Sequence, residues 1–169
     1  CSEFLRAMGV SLRLLLALCF APAQAFLNLE GLTNCLQDNL KFGAQALVNQ
    51  GFAEVCCKVP QHWAEPAGSL NRVNFWQELG SGVTTFYDAQ CGIPLFRAPV
   101  GRSLAEFQAE SNGHGWPSFR EEELVKSNIE VKEDGEVVSK CGTHLGHNLP
   151  DQAGNRYCID LLCIAGHPK

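Results

Sequence analysis

The apolar positions change rhythm along the chain. Leu29, Leu32, Leu36, Leu40 and Leu47 recur at spacings of three, four and seven, which is one face of a helix. Asn28 can cap such a helix and Gly51 can stop it, so the pattern predicts an amphipathic helix over residues 29–50. Residues 52–80 keep no rhythm, and Pro60, Pro66 and Gly68 break any long element there. From residue 83 the period shortens. Residues 83–87 and 93–96 are branched and aromatic, and they flank Asp88-Ala89-Gln90-Cys91-Gly92 as the arms of a hairpin. Residues 103–110 return to helical spacing, with Ser103 and Glu106 in capping-box positions. Residues 129–131 and 137–140 flank Asp134-Gly135, a second hairpin signal. Residues 157–165 are apolar almost throughout and read as a buried strand ending at Gly166. No internal repeat is visible. The sum is a mainly β chain of the α+β class, with short antiparallel strands over 81–169 and a helical extension over 26–80.

Composition narrows the picture. A chain of 169 residues with 46% hydrophobic content supports one core and a tail. A net charge of −5 without a basic stripe argues against a nucleic-acid partner. The N-terminus has the order of a secretory signal: Met8, Arg13, an apolar run over 14–20, then Ala23-Gln24-Ala25. Residues 1–25 are therefore expected to be leader and signal peptide, cut after Ala25, with no membrane attachment afterwards. The apolar run is too short for a span. The expected location is the secretory pathway or the exterior. Phe26 directly after the cut resembles the junction of bipartite plastid targeting, which gives a plastid as the alternative address.

Nine cysteines become seven when Cys1 and Cys19 leave with the leader. An odd number in an oxidising compartment leaves at least one thiol unpaired or bonded between chains. Cys35 can pair with Cys56 or Cys57, or each can be a buried thiol.

Three clusters carry candidate chemistry: Gly115-Trp116-Pro117-Ser118-Phe119, the run from Cys141 to His147, and Arg156-Tyr157-Cys158-Ile159-Asp160. On a strand Arg156, Cys158 and Asp160 share a face. A neighbouring cation favours the thiolate, the reactive form of Cys158. His144 and His147 can exchange protons near neutral pH. Each residue also has a plainer reading: Cys158 as a core cysteine, the histidines as metal ligands or structural hydrogen-bonders, Trp116 as core.

The motifs GWPSF, CGTHLGH and RYCID, in this order and spacing, resemble the B-type methionine sulfoxide reductases, and FYDAQCGIPLF at 86–96 resembles their first zinc-knuckle hairpin. The likeness covers about 84–165. It implies two antiparallel sheets in a β-tent-like arrangement with peripheral N-terminal helices. It also implies reduction of protein-bound methionine-R-sulfoxide through a cysteine sulfenic acid. No cofactor is needed beyond an external thiol reductant, thioredoxin-like or small, and the partners are oxidised proteins or peptides met by a monomer. By position, Cys158 matches the nucleophile. His144 and His147 match the residues that bind and protonate the sulfoxide oxygen, Arg156 the thiolate-stabilising cation, and Asp151 an acid near the histidines. Trp116 matches the indole that holds the substrate methyl, and Phe119 a wall of the same pocket. His114 and Asp160 fall at substrate-binding positions.

Four departures stand out. Cys91 and Cys141 match two of the family's four zinc-binding cysteines, but Asp88 and Val138 replace the others, which leaves at most three ligands and argues against zinc. Because the zinc knuckles converge in the family, the resemblance implies a Cys91–Cys141 disulfide in the metal's place. His114 stands where many members carry a resolving cysteine. Asp160 replaces an asparagine, and its charge would oppose Arg156 at Cys158. Asn148-Leu149 replaces a Val-Phe pair. Two other functions fit the same residues: a ligand-binding module without turnover, and a thiol oxidoreductase acting on partner disulfides.

Overall fold

The computed structural model describes residues 35–57 and 64–169, so the expected leader, its cleavage point and residues 29–34 of the expected 29–50 helix lie outside the described residues. The ordered elements are α1 (Gln45–Asn49), α2 (Ala53–Cys56), α3 (Phe75–Glu78), β1 (Thr84–Tyr87), β2 (Pro94–Ala98), α4 (Leu104–His114), β3 (Ser118–Arg120), β4 (Ile129–Val131), β5 (Glu136–Ser139), β6 (His144–Asn148) and β7 (Arg156–Ile159), with short 3-10 turns between them. Among the described residues, no helix is long and apolar enough to cross a membrane.

The strands form two antiparallel sheets: a β1–β2 hairpin, and a five-stranded sheet in the order β3-β7-β6-β5-β4. The mainly β class and the two sheets agree with the family fold. Both expected hairpins form, as β1–β2 and β4–β5. The expected helix at 103–110 runs on to His114, started by a complete capping box between Ser103 and Glu106. Gly115 ends it in the left-handed conformation, φ 88°, and redirects the chain toward the sheet.

Two expected elements differ. The helix over 29–50 is broken in its described part: a 3-10 turn at Lys41–Gly43 precedes the short α1. Asn39 and Phe42 take positive φ, 56° and 60°. A left-handed non-glycine residue costs roughly 1–2 kcal/mol. Burying the Phe42 ring against Phe75 and Phe86, centroids 5.3 and 5.7 Å away, returns about as much or more. The Phe42 N–H also donates to Glu78 Oε2 at 2.7 Å. Leu40 and Leu47 still reach the core. The leucine spacing thus marked burial, and the backbone that achieves it is not one helix.

The strand expected over 157–165 stops at Ile159, and a 3-10 turn follows at Leu162–Ile164. All of 159–165 is buried, which explains why the run is apolar apart from Asp160. Polar contacts from another part of the chain turn the backbone: Glu65 N–H donates to Asp160 Oδ1 at 2.9 Å, and Leu162 N–H donates to Glu65 Oε2 at 3.0 Å.

The extension shares one core with the sheets. Phe42 and Phe75 pack on Phe86 of β1, and Phe86, Phe96, Phe107 and Phe119 continue the aromatic stack. Cys56 on α2 is bonded to Cys163, and Cys35 to Cys57.

Candidate active site

The pairing of β7 with its neighbours decides what surrounds Cys158. His147 on β6 and Ser118 on β3 are its register partners, so their side chains leave the sheet on the same side. Tyr157 and Phe119 pair one residue away and leave on the other side. Cys158 lines a cup of about 210 Å³ whose walls include Trp116, Ala64, Leu149, His147 and Asp160. It is the free thiol among the described cysteines, since Cys35–Cys57, Cys56–Cys163 and Cys91–Cys141 are bonded.

The two histidines stand three residues apart, an offset that on a regular strand would point them to opposite faces. They nevertheless meet edge to face, ring centroids 5.4 Å apart. Gly146 lies between them with φ 140°, and β5 carries a bulge opposite, at Val137/Val138. A Cβ at Gly146 would collide with the Cys158 carbonyl oxygen, so glycine lets β6 bend and close on β7. His144 is buried, with Nδ1 2.8 Å from Glu136 Oε1 and Nε2 3.7 Å from Asp160 Oδ2.

Charges pull Cys158 in both directions. Burial raises its pKa most; the Arg156 charge and hydrogen bond lower it; Asp160 and Glu65 raise it further. The net direction is upward, so the resting sulfur is a thiol. Burial, and then the nearness of His144, lowers the His147 pKa, which leaves a neutral imidazole at pH 7.

Asp151 lies elsewhere than expected. Arg120 hydrogen-bonds both its oxygens, at 3.0 and 2.8 Å, and Arg156 Nε stands 3.5 Å from Oδ2. The Arg120 bond holds the Asp151 carboxyl at about 2. Arg120 also contacts Glu110 on α4, which contacts Arg102, which is bonded in turn to Glu123 at 2.5 Å. Asp151 thus ends an ionic chain that braces Arg156, while the acids that touch His144 are Glu136 and Asp160. Phe119 also differs from expectation. It is fully buried, stacked on Phe96 at 4.2 Å, and supports the sheet from behind rather than lining the cup. His114 is exposed at the end of α4 and is not in the cup wall.

Glu65 was not singled out in the sequence. It is 1% exposed, its carbonyl accepts from Trp116 Nε1 at 3.0 Å, and its N–H reaches Asp160. One residue therefore orients the indole and the last acid of the RYCID motif. Its only sequence trace is a lone acid in the otherwise uncharged stretch 59–71.

At the hairpin junction, Asp88, Cys91 and Cys141 bring ligand-type atoms within 4.8 Å. Cys91 and Cys141 are bonded to each other, with Cα atoms 6.4 Å apart, and a half-cystine sulfur has no thiolate charge for a metal. Asp88 Oδ1 already accepts from Gln90 N–H, Cys91 N–H and Thr143 Oγ1. The trio does not fit a four-ligand zinc site.

A thiol beside a guanidinium, an imidazole and an indole is a site for sulfur chemistry on a small apolar group. Comparison with known proteins agrees. The SelR domain model matches residues 64–168, reaching back into the extension as far as the strap that carries Glu65. A peptide methionine sulfoxide reductase MsrB of Thiobacillus denitrificans is 33% identical over 105 residues, covering 56% of this chain and 72% of that protein. MsrB proteins of Pseudomonas putida and Pseudomonas fluorescens are 35% and 36% identical over 89 residues, each match covering 47% of this chain and 62% of the relative. The chain belongs to the SelR-domain family, the MsrB class of methionine sulfoxide reductases.

Proposed function

We propose that the chain reduces peptide-bound methionine-R-sulfoxide with Cys158 as its nucleophile. The observation that carries this reading is the free, half-buried thiol facing Trp116 and His147 across an apolar cup, with Arg156 beside it on β7. The cup suits a thioether methyl against the indole face. Arg156 favours the thiolate once the thiol gives up its proton. Neutral His147 binds the sulfoxide oxygen through a ring N–H. The Cys158 sulfur gains the oxygen and is oxidised by two electrons to a sulfenic acid; the substrate sulfur gains those electrons and leaves as methionine.

Re-reduction uses an external thiol, thioredoxin-like or small. His114 has no sulfur to offer, and the other six described cysteines are joined in pairs. Two donor thiols return Cys158 to the thiol, release water and leave as a disulfide. Three cystine pairs together with the signal-like N-terminus support a secreted or secretory-pathway protein, with a plastid as the alternative, acting as a monomer. No cofactor is required.

One observation favours a second reading, a binding module on the same fold: the buried acids beside Cys158 oppose its ionisation. Turnover of R- and S-sulfoxide peptides with dithiothreitol separates the two. Catalysis predicts methionine from the R epimer only. Binding to the cup without methionine release supports the module.

A further inference from the structure

Resting on the reductase reading, we propose that Glu65 and Asp160 form a buried carboxyl pair that keeps a proton at Asp160 Oδ2, and that Asp160 delivers it to the sulfoxide oxygen. Glu65 is then a positioning residue, acting through Asp160.

Three observations lead here. First, both carboxyls are almost completely buried, at 1% and 2% exposure, and each keeps one buried oxygen, Glu65 Oε1 and Asp160 Oδ2, with no hydrogen-bond partner. Two adjacent buried carboxylates with unmet oxygens would be costly, and a retained proton removes one of the charges. Second, the residues are tied to each other: the Glu65 N–H donates to Asp160 Oδ1, and the chain just after Asp160 donates from Leu162 to Glu65 Oε2. Third, Asp160 Oδ2 faces His144 Nε2 at 3.7 Å, and both atoms are buried without a partner. His144 Nδ1 is committed to Glu136, whose carboxyl stays below its ordinary range: burial would raise it, but the Lys132 and His144 hydrogen bonds outweigh that. In its neutral form, with Nδ1–H on Glu136, His144 presents a lone pair toward Asp160. Two acceptors facing each other in a dry space require a proton between them. A substrate oxygen about 2.8 Å from Asp160 Oδ2 would accept the proton held there.

The directions of ionisation agree. Burial raises Glu65 to about 7, and burial and then the Glu65 charge raise Asp160. The groups facing Asp160 are Glu65 on the strap, Cys158 and Arg156 on β7, and His144 and His147 on β6, with Glu136 behind His144.

The step balances. The Cys158 thiolate forms a bond to the sulfoxide oxygen, the substrate S–O bond breaks, and its electron pair stays on the methionine sulfur. The Asp160 proton ends on the sulfenic oxygen, leaving the pair as two carboxylates. Cys158 gives its own proton to solvent before the attack, and after the external thiol regenerates Cys158 as a thiol, solvent returns a proton to the pair.

The test is infrared spectroscopy of the mature chain together with the pH profile of kcat/KM on an R-sulfoxide peptide with dithiothreitol. The wild-type protein should show the carbonyl stretch of a protonated carboxylic acid at neutral pH, and Asp160→Asn should lose the part of it that Asp160 carries. In Glu65→Gln the like charge is gone, so the band and the alkaline limb of kcat/KM should both move to lower pH. In Asp160→Asn that limb should vanish, because an amide donates at any pH. A wild-type protein without the band at neutral pH, with the proton on His144 instead, overturns the pair. A band with identical profiles in wild type and Glu65→Gln overturns the delivery role. The infrared arms need no turnover, so failure of the reductase reading leaves them readable.

Discussion

Cys158 and Cys163 stand five residues apart, yet one is a free thiol at the cup and the other a sealed half-cystine. Residue type and local apolar character are the same. What differs is the backbone that carries them. Cys158 sits on β7 with its side chain on the face shared by His147; Cys163 sits in a 3-10 turn, fully buried and bonded to Cys56. The bend between them is held by Glu65, which comes from the extension, as Cys56 does. The same N-terminal strap thus closes one sulfur and frames the other. Reactivity on this stretch is assigned by long-range contacts, and the strap is part of the site.

Substitutions at the two cysteines break this comparison most sharply. Cys158→Ser should lower sulfoxide turnover by at least about 1,000-fold while the thermal midpoint stays close to wild type. Cys56→Ser combined with Cys163→Ser should lower stability by about 4 kcal/mol, because the bond closes a loop of 107 residues. Denaturant titration reads that loss, and Cys158 should still react with thiol reagents.

The Cys91–Cys141 bond closes a shorter loop, 50 residues, at the hairpin junction. Its double serine variant should lose about 2–4 kcal/mol and keep its kcat/KM below the melting range. Loss of activity without loss of stability would mean that the hairpin junction communicates with Cys158.

A smaller effect separates the two faces of β3 and its approach. Trp116→Ala should lower kcat/KM about 10- to 100-fold, mostly through KM, with little change in fold. Phe119→Leu should do the reverse, costing about 1 kcal/mol of stability and leaving KM alone.

The smallest effect is a pH dependence of stability. Glu65 has a folded pKa above its unfolded value, so its contribution is full below about pH 4.5 and is lost as pH rises through about 7. Glu65→Gln should therefore gain stability relative to wild type between pH 5 and pH 8, as read by paired thermal melts. Asp151 runs the other way. Its lowered pKa gives stability that is present above about pH 4 and lost as pH falls through about 2.

Much of this was legible in the sequence. The hairpins at 84–98 and 129–139 follow from alternation and turn residues, and α4 follows from its capping box. The cluster of Cys158, His147 and Trp116 was legible as motifs. Local reading fails where a distant contact sets the backbone. Leu40 and Leu47 suggest a continuous helix, but Phe42 turns left-handed to reach Phe75 and Phe86. Residues 157–165 are apolar almost throughout because all of them but Cys158 are buried, and burial does not distinguish a strand from a turn. The motif points Phe119 at the cup, whereas the alternation from Ser118 puts it in the core. Asp151 pairs with Arg120, a contact between β3 and the 151–154 turn that no local spacing encodes. Glu65 lies 95 residues from Asp160.

The central claim is that Cys158 alone takes the sulfoxide oxygen and that no internal thiol resolves it. The direct measurement is a reductant-free reaction with excess methionine-R-sulfoxide peptide, trapped with a sulfenic-acid reagent and mapped by mass spectrometry. The account predicts one methionine released per chain, the trap on Cys158 only, and no further release until a thiol is added. Continued release without a thiol, or trapping at another cysteine while Cys158 stays reduced, would contradict it.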